Sequence, residues 1–243
     1  MTKVLAHRGF PKKYPENTML SFKKAADFAI AGFETDVQRT KDGVLVLVHD
    51  EEISRVSNAK GWIKDLTLAE LKTYDFRCGM NNYALDDDTR IPTLEEFFDW
   101  FAKTNFIVNL ELKSSQVLYE GMTSETIEMV KKYKLTDRVI ISSFNHRDVV
   151  LAKKLLPAMK CGFLTWSVIL NPGQYTKKYG IDYYHPDYHT MYADDWKECR
   201  DLGIETNPYT IDDVADIKKM ADEKVMHVIT NDSETACSVL GLK

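Results

Sequence analysis

The chain has 243 residues, of which 44% are hydrophobic, and its formal net charge is −5. This size supports a full apolar core in one large domain or two small ones, whereas the acidic balance gives no electrostatic footprint for nucleic acid. No apolar run approaches the roughly 20 residues of a membrane-spanning helix, and the first residues hold no signal-peptide core. We therefore expect a cytoplasmic protein without stable membrane insertion.

Most of the chain alternates between strand-like runs and amphipathic stretches. Strands are predicted at 3–7, 33–38, 106–112, 138–143, 159–164, 181–185, 203–207 and 226–230. Helices are predicted at 17–31, 94–103, 117–134, 146–156, 190–201, 212–223 and 232–240. Eight parallel-type strands with crossover helices in a chain of this length predict a closed (β/α)8 barrel, the TIM barrel. An open doubly wound sheet is the alternative, and the lack of a glycine-rich phosphate loop disfavours it.

Residues 50–92 do not fit this alternation. They follow a strand-like extension at 44–48 and contain a polar stretch, a short helix near 67–73 and an acidic loop at 86–88. We interpret 50–92 as a small inserted subdomain after the second strand, within a single domain that spans residues 1–243. The acidic loop lacks the spaced ligands of a calcium loop, which favours a solvated surface loop.

Four polar clusters each follow an apolar, strand-like run. They are His7-Arg8-Gly9, Glu34-Thr35-Asp36, His49-Asp50 and Glu111-Leu112-Lys113. The carboxyl ends of parallel strands meet at one rim of a barrel, so we expect these side chains to lie close together.

The carboxylates of two clusters form a candidate metal site. Side chains alternate across a strand, so Glu34 and Asp36 share one face, as do Glu111 and Lys113 on another strand. Three hard oxygen donors suit Mg²⁺ or Ca²⁺. A structural ion-pair network, for example of Glu34 or Asp36 with Lys113, explains the same spacing equally well.

The remaining charged residues suit chemistry at a phosphate. Two histidines, His7 and His49, offer a base and an acid that titrate in the right range for phosphodiester cleavage. Arg8 can hold phosphate oxygens bidentately, and Lys113 adds positive charge. Three later aromatic residues, Phe144, Trp166 and Tyr209, follow strands and could wall a pocket for a small alcohol.

Five motifs, taken in order, resemble the glycerophosphodiester phosphodiesterase family. They are His7-Arg8-Gly9, Pro15-Glu16-Asn17-Thr18, Glu34-Thr35-Asp36, His49-Asp50 and Glu111-Leu112-Lys113. The match is dense over residues 4–113 and continues more sparsely to the end. It implies a (β/α)8 barrel with an inserted subdomain and a divalent metal ion, Mg²⁺ or Ca²⁺. It also implies hydrolysis of small-molecule glycerophosphodiesters to glycerol 3-phosphate and an alcohol, within lipid and glycerol metabolism.

The resemblance also implies roles for single residues. The family's metal ligands match Glu34, Asp36 and Glu111, its acid–base pair matches His7 and His49, and its phosphate-binding cations match Arg8 and Lys113. By analogy with related two-histidine barrels, His7 is expected to act as base and His49 as acid. Glu16 and Asn17 match positions that support the site.

Two late motifs depart from the family pattern. Tyr209 stands where the family often has Trp, and Thr230-Asn231-Asp232-Ser233 stands where it often has Thr-Asp-x-Pro. These departures leave the preferred alcohol open, along with the ion and whether the chain forms a homo-oligomer. We expect the insertion to lie over the mouth of the site, with Trp62, Phe76 and Tyr83 contacting the leaving alcohol.

Two other functions fit the same frame less well. A lipid phosphodiesterase of the phospholipase C or D type is disfavoured, because the sequence indicates no exposed apolar or basic segment for a membrane. A catalytically silent barrel is disfavoured because the full set of polar residues is intact.

Overall fold

The computed structural model describes residues 1–242, and its centre is a nearly closed barrel. The strands are β1 (Lys3–His7), β2 (Gly32–Arg39), β3 (Leu45–Leu47), β4 (Ile107–Leu112), β5 (Val139–Ser143), β6 (Lys160–Thr165), β7 (Tyr183–Pro186), β8 (Glu205–Thr206) and β9 (His227–Thr230). Eight of them run parallel in the order β8-β7-β6-β5-β4-β2-β1-β9. A backbone hydrogen bond from Met226 N to Thr206 O (2.9 Å) brings the two end strands together. The (β/α)8 prediction is confirmed.

Most of the helices cover the outside of the barrel, and one short helix lies within the segment 50–92. The helices are α1 (Met19–Ala25), α2 (Leu68–Leu71), α3 (Leu94–Phe101), α4 (Met122–Lys132), α5 (His146–Leu155), α6 (Pro172–Lys178), α7 (Ala193–Asp201), α8 (Val214–Asp222) and α9 (Ser233–Val239). The first helix is shorter than the predicted 17–31: it begins after Thr18, whose hydroxyl accepts from Ser21 N at 3.2 Å, and it already ends at Ala25. No helix in residues 1–242 has the length and apolar character needed to cross a lipid bilayer.

The main apolar core lies between the barrel and its helices. On β2, Phe33 and Val37 face outward into this core, and Phe33 packs edge-on against Phe22 of α1 at 5.7 Å between ring centroids. The alternate residues Glu34 and Asp36 therefore face the barrel interior. The apolar face of each strand thus fixes which polar side chains reach the site.

β3 is not a barrel strand. It pairs antiparallel with β2, in the register Val37↔Leu47 and Arg39↔Leu45. The chain consequently turns back after β2, and Val48 N donates to Asp36 O at 3.1 Å. His49 thus reaches the site from an antiparallel return rather than from the end of a parallel strand.

The segment 50–92 has an apolar cluster of its own. The cluster contains Val46, Val48, Ile53, Val56, Ile63, Leu71, Phe76 and Ile91. Helix α2 within it begins with a capping box, in which Thr67 and Glu70 each bond the other's backbone. We propose that the chain is one domain carrying this inserted subdomain.

Candidate active site

Three carboxylates converge where β2 and β4 end. The parallel register aligns Glu34 with Asn109 and Asp36 with Glu111. One oxygen from each of Glu34, Asp36 and Glu111 lies within 4.8 Å of the others, and all three residues are buried. This convergence is what the alternation of side chains along the strands predicts.

Burial and the neighbouring charges shift the pKa values of the three carboxyl groups in different directions. Burial raises the pKa of Glu34 well above its usual value, and repulsion from Asp36 and Glu111 adds to the increase. Burial also raises the pKa of Glu111, although Lys113 opposes it. For Asp36 burial acts in the same direction, but the charges of Arg8, His49 and Lys113 outweigh it and lower the pKa.

The carboxylates fit a divalent cation better than a closed ion-pair network. Lys113 Nζ pairs with Glu111 at 3.0 Å, and Arg8 Nε lies 3.4 Å from Asp36. Yet Glu34 Oε2 and Asp36 Oδ1 are buried without a hydrogen-bond partner among the described residues. Buried oxygens of this kind need a partner, and a hard cation supplies one.

Asn17 holds one of these carboxylates in place. Its side-chain nitrogen donates to Asp36 Oδ2 at 2.9 Å, and its oxygen accepts from Thr35 Oγ1 at 2.7 Å. Asn17 has a positive φ of 53°, a conformation that asparagine tolerates better than most residues. The residue before it, Glu16, accepts from Arg8 Nη1 at 3.0 Å.

His7, at the end of β1, points its two ring nitrogens at different partners. Nδ1 lies 2.7 Å from Asn231 Oδ1, and Nε2 lies 3.6 Å from Glu34 Oε2. Burial and the neighbouring Arg8 lower the pKa of His7 to about 3 in the metal-free protein. The ring is therefore neutral at pH 7 and can accept a proton.

His49 has a carboxylate partner instead. Its Nδ1 lies 2.5 Å from Asp50 Oδ1. Burial opposes ionisation of Asp50, but hydrogen bonds from His49 and Arg55 lower its pKa below the usual range. Arg55 also donates to both oxygens of Glu16, at 2.8 Å each. Arg55 thus links Asp50, the partner of His49, to Glu16, which also accepts from Arg8.

These residues line one cavity of about 400 Å³. Its lining includes His7, Arg8, Glu34, His49, Glu51, Asn109, Glu111, Lys113, Ser115, Gln116, Phe144, Leu164, Trp166, Asp187, Tyr209, Thr210 and Ile229. Phe144 forms the centre of an aromatic wall, 5.0 Å from Trp166 and 6.1 Å from Tyr209 between ring centroids. Asp36 lies deeper, fully buried beneath the cavity floor.

The expectation for the insertion's aromatic residues was wrong. Phe76 is buried in the insertion's own apolar cluster. Tyr83 donates its hydroxyl to Lys13 O at 2.8 Å, and Trp62 pairs with Glu52 in an isolated bridge. Within 50–92, only Glu51 lines the cavity, because the buried apolar residues of the insertion pack against one another.

The structure also corrects the expectation that no apolar segment is exposed. After β6, Trp166, Val168 and Leu170 are 70%, 52% and 85% exposed. This run of residues 166–170 adjoins the cavity through Trp166. Sequence reasoning missed it because apolar residues that follow a strand do not show by themselves whether they are buried or exposed.

Sequence reasoning also missed the partner of His7 and the arginine that pairs with Asp50. Asn231 was noted only as a departure from the family pattern, yet it contacts His7 directly. Its own partner, Asp212, lies after β8 and carries no local signal in the sequence. Arg55 lies five residues beyond Asp50, and no pattern in the sequence indicates that the two side chains pair.

Fold and site together define a TIM-barrel phosphodiesterase with a buried carboxylate cluster at its mouth. The sequence profile of the Glycerophosphoryl diester phosphodiesterase family matches residues 7–235. The chain belongs to this family, and the predicted enzyme class, a phosphoric diester hydrolase, is confirmed.

Similar proteins extend over nearly the whole chain. A glycerophosphodiester phosphodiesterase of Caldanaerobacter subterraneus is 38% identical over 239 residues, covering 98% of each chain. An Oleispira antarctica phosphodiesterase, solved in complex with the product sn-glycerol-3-phosphate, is 26% identical with a TM-score of 0.90, covering 99% of this chain and 97% of that one. A glycerophosphodiester phosphodiesterase of Thermotoga maritima is 28% identical with a TM-score of 0.79, covering 98% of each.

Proposed function

We propose that this protein hydrolyses glycerophosphodiesters to glycerol 3-phosphate and an alcohol, with a divalent metal and two histidines. One observation carries the proposal. His7 and His49 line the same cavity as two cations, Arg8 and Lys113, and Glu34 and Asp36 each have one buried oxygen without a hydrogen-bond partner among residues 1–242. The related Oleispira antarctica enzyme has sn-glycerol-3-phosphate as its product, which supports the same substrate class here.

The phosphate is bound by positive charge. Arg8 and Lys113 are held by Glu16 and Glu111 respectively, so both cations are in place before substrate arrives. Glu34, Asp36 and Glu111 would hold the metal, Mg²⁺ or Ca²⁺. When bound, the metal neutralises phosphate charge and polarises an oxygen.

The two histidines divide the proton transfers. His7 takes the proton from the attacking hydroxyl, because its buried ring is neutral. His49 gives a proton to the leaving alkoxide, and Asp50, 2.5 Å from His49 Nδ1, holds the ring in place. The attacking group is either a water molecule or the glycerol hydroxyl on the carbon next to the phosphate ester. In either case hydrolysis consumes one water and releases the alcohol.

A coupled assay for glycerol 3-phosphate tests the proposal. Wild-type protein should turn over glycerophosphocholine, glycerophosphoethanolamine or glycerophosphoglycerol when Mg²⁺ or Ca²⁺ is present. His7→Ala and His49→Ala should each lower kcat by about 10²-fold or more, the usual size of a lost acid or base. His189→Ala, in an exposed histidine that contacts the lining residue Asp187 but does not itself line the cavity, is the control. Near-wild-type kcat in either cavity variant would remove that histidine from the mechanism.

A second candidate is a phosphodiesterase acting on lysophospholipids. The exposed apolar run 166–170 beside the cavity favours it, since an acyl chain needs apolar contact outside the phosphate site. Exposed apolar patches of this kind mark binding sites in soluble proteins.

A further inference from the structure

We propose that Asp212 and Asn231 are positioning residues that fix the orientation and tautomer of His7. We refer to these two residues as the Asp212–Asn231 pair. The proposal rests on the proposed role of His7 as base. Neither residue belongs to the acid–base or metal set, and both come from the part of the barrel where β8, β9 and β1 meet.

The pair is built from several hydrogen bonds. Asn231 Nδ2 donates to Asp212 Oδ2 at 2.7 Å, and Asn231 N donates to Asp212 Oδ1 at 2.8 Å. Thr230 Oγ1, on a fully buried side chain of β9, donates to Asp212 Oδ1 at 2.9 Å. A single carboxylate thus holds both the backbone and the side chain of Asn231.

This arrangement decides which way the amide of Asn231 points. An ionised carboxylate only accepts hydrogen bonds, so the amide nitrogen must face Asp212. The amide oxygen then faces His7 Nδ1, at 2.7 Å. Because an amide oxygen only accepts, Nδ1 must carry the ring hydrogen.

The hydrogen on Nδ1 also determines the state of the other ring nitrogen of His7, Nε2. With the hydrogen on Nδ1, Nε2 presents its lone pair toward the carboxylate cluster, 3.6 Å from Glu34 Oε2. The opposite tautomer would place a hydrogen on Nε2 and two acceptors face to face at Nδ1. The Asp212–Asn231 pair therefore holds His7 with Nε2 free to accept a proton on the side of the cavity.

The two histidines differ in this respect. His49 Nδ1 faces a carboxylate, Asp50, whereas His7 Nδ1 faces a neutral amide. A carboxylate stabilises a doubly protonated ring, and an amide oxygen fixes a tautomer without adding charge. This asymmetry supports His7 as base and His49 as acid.

The direct test is nitrogen-15 NMR of the histidine side chains in the Mg²⁺-loaded protein, with the His7→Ala spectrum used for assignment. We expect the His7 hydrogen on Nδ1 in wild type, and a mixture of tautomers in Asp212→Ala. A wild-type hydrogen on Nε2 would overturn the proposal, even if Asp212→Ala failed to fold.

Kinetics supply the second readout. Asp212→Ala should lower kcat by about 10-fold to 100-fold, as loss of a residue that orients a site histidine does, with KM within about twofold. Asp212→Asn, which keeps one of the two acceptor oxygens that face Asn231, should recover part of kcat. Asp213→Asn is the matched control: it removes the same charge one residue away, where the side chain caps α8.

Unchanged kcat in Asp212→Ala, or a change confined to KM, would overturn the positioning role. An inactive wild-type protein with the hydrogen on Nδ1 would instead refute the proposed function and leave the tautomer assignment standing. The two failures are thus distinguishable.

Discussion

At the scale of single residues, Glu34 is the carboxyl group whose ionisation the site opposes by burial and by neighbouring negative charge. It is buried beside two other carboxylates, and one of its oxygens has no partner among residues 1–242. Its pKa is therefore raised, first by burial and then by repulsion. In the metal-free protein, folded Glu34 holds its proton to higher pH than an unfolded glutamate.

This shift predicts a pH-dependent stability. Between the unfolded and folded pKa values the folded state binds more protons, so metal-free protein loses stability as pH rises through that window. Glu34→Gln removes this loss. We expect the melting temperature of the variant in chelator to exceed that of wild type at pH 8 by about 2–4 °C, which corresponds to about 1 kcal/mol. The gap should shrink toward pH 5.

Glu128→Gln, an exposed position on α4, is the control. Its melting temperature should follow wild type at both pH values. A Glu34→Gln gap of equal size at pH 5 and pH 8 would show that packing, rather than charge, causes the difference.

Residue types and spacing predicted the cluster of Glu34, Asp36 and Glu111, because alternation along a strand decides which side chains share a face. The same reasoning could not find Asp212, since its contact with Asn231 joins two loops that are distant along the chain. A hydrogen bond of this kind depends on side-chain orientation, which no local pattern encodes.

At the scale of elements, the run 166–170, and not the aromatic residues of the insertion, places apolar side chains beside the cavity. The insertion packs Phe76 into its own cluster and gives the cavity only Glu51. The run after β6 is exposed and adjoins the cavity through Trp166. Helix bounds were predictable where caps and periodicity agree, but an apolar run that leaves a strand looks the same whether it is buried or exposed.

The position of the exposed run 166–170 beside the cavity predicts which residues set the selectivity for an acylated substrate. The double substitution Val168→Ser with Leu170→Ser should lower kcat/KM for lysophosphatidylcholine by about 10-fold, the effect of losing about 1.4 kcal/mol of apolar contact. Turnover of glycerophosphocholine should stay near wild type, since it has no acyl chain. The measurement is kcat/KM for both substrates.

A matched double substitution lies on α5, where Leu151 and Leu155 are 38% and 40% exposed. Changing both to Ser removes exposed apolar surface away from the cavity lining and should alter the turnover of neither substrate. No measurable wild-type turnover of lysophosphatidylcholine, or an equal loss in the two double variants, would refute the second candidate function.

At the scale of the whole molecule, the barrel gathers groups from distant parts of the chain at one mouth. His7, Glu111 and Tyr209 follow or end strands far apart in sequence, yet they line one cavity. Topology was predictable because strand and helix periods alternate. The antiparallel β3 was not, since its three residues resemble any short buried strand.

Because the carboxylates come from two barrel strands, a bound cation should stabilise the entire fold. Mg²⁺ or Ca²⁺ at 100 times its dissociation constant adds about 2.7 kcal/mol, which corresponds to a rise of about 5–10 °C in melting temperature. Asp36→Asn should remove most of this rise, and the ion that raises wild type further at equal concentration is the preferred one. Asp87→Asn, in the acidic loop of the insertion, is the control and should keep the full rise. A full rise in Asp36→Asn, or its loss in Asp87→Asn, would place the ion outside the barrel mouth.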